Sequence, residues 1–136
     1  MTFNQIILIV LLVAIFTLIF GSVYLLPSLF AKMRSHKYGL KLNFKQAKTL
    51  VKNNCLKADF LVGVKEIWEI HPIQINKLVD HYHAGGDLIN LKVGVSEMIQ
   101  REMEPDINML TALNLANRDL KIEVEKAERN NWMFEL

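Results

Sequence analysis

Asp80, His81 and His83 form the densest group of potential metal ligands in the chain. Imidazole and carboxylate together suit zinc or a similar divalent ion. Their spacing works against one shared ion: on a helix, residues i and i+2 project about 200° apart, whereas on a strand they share a face. Glu102, Glu104 and Asp106 make an acidic patch without the ligand order of a calcium loop. Cys55 is the single cysteine and reads as a small buried hydrophobe. No G-x-x-x-x-G-K-[ST], G-x-G-x-x-G, H-E-x-x-H or G-x-S-x-G occurs. The expectation is a non-enzyme with no catalytic residue, no cofactor and no metal.

The residues with a clearer chemical task are the cations. Between Lys32 and Ala58 stand eight basic residues and no acid, a charge of +8. From Asp59 onward there are 8 basic and 14 acidic residues, a balance of −6, so the formal net charge of +2 conceals a dipolar layout. Nucleic acid is a poor partner for the basic block, because aromatic residues are sparse there and it abuts an apolar run. Anionic lipid head groups fit better, at about 1 kcal/mol per basic residue near the surface. The expected lipid contacts are Lys32, Arg34, Lys37, Lys41, Lys45, Lys48 and Lys52. The last four recur at helical spacing beside Leu40, Phe44, Ala47 and Val51, which predicts a basic amphipathic helix over Asn43 to Asn54.

What holds these cations beside lipid is the N-terminus. Met1 to Ala31 contain no charged side chain. Ile6 to Phe30 is apolar enough and long enough to cross a bilayer, at about 37 Å against a hydrocarbon core of about 30 Å. The excess allows for tilt, or for an end that leaves the membrane near Pro27. A cleaved signal peptide would need a basic start, a shorter apolar run and a small-residue cleavage site. All the flanking basic residues lie on the C-terminal side, so the N-terminus is expected outside and the remainder in the cytoplasm. The predicted segments are a transmembrane anchor over 1–31, a basic juxtamembrane segment over 32–58 and a helical cytoplasmic module over 59–136.

Helix punctuation in the module is dense. Asn43 with Gln46 resembles a capping box. Asp59, Asp87 and Asp119 are expected N-caps, for helices ending near Ile70, Met103 and Asn130. Pro72 and Pro105 suit first helical turns, and Gly85-Gly86 and Asn117 suit helix-ending turns. Leu50, Leu78 and Leu110 stand nine residues before the three aspartates, and Phe60, Leu88 and Leu120 one residue after them. This echo predicts three helix–turn–helix units in a short stack. The fold class is therefore an all-α membrane protein. Phe60, Val64, Trp68, Leu88, Leu91 and Val95 are candidates for apolar contacts between chains, with an intramolecular core as the alternative.

Two phrases resemble a known family. His81-Tyr82-His83-Ala84-Gly85-Gly86-Asp87 is similar to the HYxAGG[ND] segment of bacterial flotillin-like proteins of the FloA type, and Leu115-Ala116-Asn117-Arg118-Asp119 to their LAGRD segment. Asn76-Lys77-Leu78 and Gly39-x-Lys41 stand at matching offsets, so the resemblance covers roughly residues 35–130. Asn117 replaces the family's usual glycine, and Arg118 and Asp119 are expected to pair or cap across that turn. The resemblance implies a membrane-anchored oligomeric scaffold in the bacterial inner membrane. The family's larger stomatin/prohibitin/flotillin-type domain has no counterpart in these residues, so only the membrane-proximal module is carried over. The expected partners are anionic membrane lipids and either further copies of the chain or another flotillin-like or membrane protein. The alternative expectation is an adaptor that holds a partner protein with the same anchor.

Overall fold

The protein is described by a computed structural model covering residues 2–131, 133 and 134. Met1, Trp132, Glu135 and Leu136, within the predicted segments 1–31 and 59–136, lie outside the described residues. Among the described residues the chain is all-helical: α1 Phe3–Tyr24, α2 Leu26–Lys37, α3 Phe44–Lys52, α4 Ala58–Trp68, α5 Ile75–His83, α6 Leu88–Gln100, α7 Ile107–Leu115 and α8 Leu120–Arg129.

α1 and α2 run on from each other as one rod, Phe3–Lys37, long and apolar enough to cross a membrane, and α1 has no buried residue. Its 35 residues give about 52 Å of helix, well beyond the hydrocarbon core. The break at Leu25 follows from Pro27, which has no N–H to return and whose ring crowds the carbonyl four residues back. The rod nevertheless does not end at Pro27 or Phe30. It continues to Lys37, so Lys32, Arg34 and Lys37 are helical. A face of small residues, Ser28, Ala31 and Ser35, is buried, and α2 packs closely with α3.

Five helices end in the same way. After α2, α3, α5, α6 and α7 the chain turns through a left-handed residue: Gly39 (φ 75°), Asn54 (53°), Gly85 (86°), Glu102 (59°) and Asn117 (55°). In each, the next N–H returns to a carbonyl five residues back, as in Leu40 to Ser35 at 3.1 Å and Gly86 to His81 at 2.9 Å. This Schellman closure satisfies carbonyls that a helix end would leave bare. Glycine and asparagine tolerate positive φ best, which explains four of the five positions.

The units are α3–α4, α5–α6 and α7–α8. The second helices stack in order, α4 on α6 and α6 on α8. Leu50, Leu78 and Leu110 are fully buried, as are Phe60 and Leu120, with Leu88 at 6% exposure. Leu88 lies against Gly63 and Leu120 against Gly94, so closely that a β-carbon on either glycine would meet the leucine at under 3 Å. Neighbouring units are thus spaced by a leucine seated on a glycine.

Some predicted boundaries fail for local reasons. Asp59 is not the N-cap: α4 starts two residues earlier than such a cap would set it, at Ala58, with Lys57 at the cap and Asp59 in the first turn. Pro72 is in no helical turn, because the indole N–H of Trp68 donates to the Ile73 carbonyl at 2.8 Å and α5 waits until Ile75. α6 stops at Gln100, short of Met103. Asp106, not Pro105, opens α7, its carboxylate accepting from Met109 N–H at 3.0 Å.

Candidate functional site

Lys32, Arg34, Lys37, Lys41, Lys45, Lys48 and Lys52 are all exposed. None forms an ion pair among the described residues. Lys65, Lys92, Arg101, Arg118 and Lys126, farther along the chain, each reach a carboxylate. The N-terminal block therefore keeps its charge uncompensated from the last turns of the rod through α3. The predicted helix is present, closed by the expected box: Asn43 accepts from Gln46 N–H and Gln46 from Asn43 N–H, both at 2.8 Å. Its apolar face is committed elsewhere than to lipid. Ala47 and Leu50 are fully buried in the core, and only Phe44, 42% exposed, stays outside with the lysines.

The second set of candidate residues builds two turns. In the first, α5 ends at His83, Ala84 takes the cap, Gly85 reverses the chain and Asp87 starts α6, accepting from Ile89 and Asn90 N–H groups at 2.8 and 3.3 Å. Gly86 has no room for a β-carbon, because the His81 ring lies against it. Tyr82 stands edge-on to Phe60 at 5.0 Å and donates its hydroxyl to Asp59 at 2.8 Å. His83 Nε2 lies 2.9 Å from the Asn53 carbonyl and 3.1 Å from Cys55 Sγ. The end of α5 thereby ties down the turn of the preceding unit.

In the second turn α7 ends at Leu115, Ala116 caps it and Asn117 reverses the chain. Asp119 caps α8, accepting from Lys121 and Ile122 at 3.0 and 3.3 Å. Arg118 does not pair with Asp119; it reaches Glu123 at 3.2 Å. Glu123 is 7% exposed and also holds Lys126 at 3.1 Å, so one acidic side chain of α8 is buried against its cations.

Two asparagines outside the family phrases, Asn114 and Asn90, connect these turns. Asn114 Oδ1 accepts the Asp87 N–H at 2.8 Å, and its amide donates to the Asp87 carbonyl at 2.9 Å. Asn90 treats the next turn in the same way: its amide donates to Arg118 carbonyl at 2.8 Å and its Oδ1 accepts from Leu120 N–H at 3.1 Å. Asparagine inside a helix is unfavourable unless its side chain has work elsewhere. That was the available signal.

No protein-family model, curated protein or solved structure matches the chain.

The chemistry of these turns is quiet. Burial raises the Cys55 thiol above its ordinary value, against the pull of Lys57, which keeps it protonated beside His83. Burial lowers His81 below the usual imidazole range, opposed by Asn114 and Asp87. The hydrogen bond from Tyr82 lowers Asp59 and raises the phenol. His81 faces the core while His83 faces Cys55, so the two rings have separate surroundings. No three His, Cys, Asp or Glu side chains converge among the described residues.

An open groove of about 510 Å³ lies between the starts of α4 and α6, floored by Val62, Gly63 and Leu88, with Ile89, Tyr82 and Glu66 on its rim. Val62 and Ile89 are 39% and 69% exposed. The expected inter-chain contacts are core instead: Phe60, Val64, Leu91 and Val95 are fully buried, and Trp68 and Leu88 pack against them.

Proposed function

We propose that this chain is a membrane-anchored scaffold, similar to the membrane-proximal part of flotillin-like proteins, that self-associates and organises a patch of the bacterial inner membrane. The observation that carries the reading is the division of charge along the molecule. Seven cations, none of them ion-paired among the described residues, run from the last turns of the apolar rod through α3, and the acid-rich helices whose cations reach carboxylates lie beyond them. Basic residues beside a span are retained on the cytoplasmic face and attract anionic lipid. The N-terminus is then outside and the helical units are in the cytoplasm. The side chains named for the turns act as structural braces, and the function is non-enzymatic.

Self-association uses surface that the core leaves free, above all Val62 and Ile89 at the groove between α4 and α6. The same groove favours a second reading, an adaptor that seats a segment of another protein there. Mass determination of the full chain in mild detergent, paired with crosslinking in membranes, separates the two. A homo-oligomer supports the scaffold; a monomer crosslinked to one other protein supports the adaptor. A monomer with no crosslinked species removes both.

A further inference from the structure

A second groove, of about 700 Å³, opens where the rod meets the first turn of the module. Leu29, Lys32, Met33 and His36 form one wall. They follow the i, i+3, i+4, i+7 pattern and so share a stripe of α2. The other wall is the extended stretch Leu40, Lys41, Leu42 and Asn43, brought back beside α2 by the Gly39 turn. The lining is mostly apolar, yet Lys32 and Lys41 stand in it without a carboxylate partner among the described residues. Leu29 and Phe30 belong to the last turn of the apolar run, and Lys32 comes two residues later. The groove therefore spans the change from acyl chain to head group.

We propose that this groove holds one anionic phospholipid, with its phosphate between Lys32, His36 and Lys41 and the start of an acyl chain along Leu29, Met33, Leu40 and Leu42. The inference rests on the rod's being a membrane span and deepens the reading of the basic residues from a diffuse surface to one site. A diffuse field would need only the charge count. A site also needs an apolar floor beside the charges, which the groove provides. Lys45 and Lys48 on α3 carry equal charge but do not line it.

Native mass spectrometry of the full chain in mild neutral detergent tests this, titrating phosphatidylglycerol against phosphatidylcholine. The wild type is compared with Lys32→Ala/Lys41→Ala, with Lys45→Ala/Lys48→Ala and with Met33→Ser. All these side chains are exposed, so the fold tolerates the changes. The expected result is a preference for phosphatidylglycerol that falls about tenfold or more in the groove pair and weakens in Met33→Ser, while the α3 pair retains it. Excess inorganic phosphate should leave the lipid bound. Equal loss in both lysine pairs, no preference between the lipids, or displacement by phosphate alone would each overturn the site. The same spectra report chain stoichiometry. A monomer that still selects phosphatidylglycerol removes self-association and keeps the site, whereas an oligomer that binds both lipids alike does the reverse.

Discussion

Asn114 is bonded to Asp87 twice, its carbonyl accepting the Asp87 N–H at 2.8 Å and its amide donating to the Asp87 carbonyl at 2.9 Å. One helix of the third unit thus completes the backbone pairing of the turn in the second. Asn90 repeats the device on the Arg118–Leu120 turn. The stack is consequently held by two kinds of joint, a leucine on a glycine and an amide on a turn.

Removing an amide joint should be costly, because it strips partners from partly buried backbone groups. Asn114→Leu is expected to lose about 2 kcal/mol of stability, and Asn90→Leu a similar amount. Thermal unfolding of the full chain in detergent, followed by circular dichroism, measures both. An unchanged melting temperature in Asn114→Leu would mean that solvent replaces the joint without loss.

The three aspartates should separate into two classes. Asp87→Ala and Asp119→Ala each remove a cap bonded to two N–H groups and should cost about 1 kcal/mol. Asp59→Ala removes an exposed first-turn carboxylate bonded to Tyr82, not a cap, and should be milder. Equal losses at all three positions would restore Asp59 as a cap.

Much of this punctuation was legible because it is local. The Asn43 box and the Asp87 and Asp119 caps bond within three residues, and the left-handed positions Gly85 and Asn117 show in residue type alone. Pro72 and Asp59 misled because side-chain bonds that residue type does not announce decided their surroundings: Trp68, five residues back, holds the Ile73 carbonyl, and Tyr82, far along the chain, takes the Asp59 carboxylate. The periodicity of α3 fixed its two faces but not their destinations. An apolar stripe reads the same whether it meets lipid or a core, and Ala47 and Leu50 meet the core.

Close packing constrains Gly86 and Gly94 through different neighbours. A methyl on Gly86 would press into the His81 ring, and one on Gly94 into Leu120 and Leu110. Gly86→Ala and Gly94→Ala should each lose about 1–3 kcal/mol through overpacking. Gly21→Ala, where no other part of the protein lies within 4 Å, serves as the control and should not lower the melting temperature.

Stability should fall on mild acidification through His81. Burial holds its folded-state value below the unfolded 6.5, so the unfolded chain takes up a proton that the folded site resists. Stability from the neutral ring is therefore complete above that unfolded value and declines as pH drops through it. Melting temperatures of wild type and His81→Gln between about pH 7.5 and 5 give the comparison. The variant should show the shallower decline; parallel curves would mean that His81 takes up its proton alike in the folded and unfolded chain.

The last test separates core from contact surface. Leu91 and Val95 are fully buried on α6, so Leu91→Glu and Val95→Glu place a charge where it has no partner and should unfold the units. Val62 and Ile89 stand at the open groove between α4 and α6, so Val62→Glu and Ile89→Glu should leave helicity intact. If copies of the chain meet at that groove, its glutamates should disperse the assembly, because apolar contact there is replaced by desolvated like charge. Circular dichroism and native mass, measured on the same detergent samples, give the two readouts. Dispersal with retained helicity in the groove variants, against lost helicity in the core variants, is the expected pattern. A groove variant that stays folded and fully assembled would move the contact to another face of the module or to the rod, whose exposed Phe16, Phe20 and Tyr24 line up along one side.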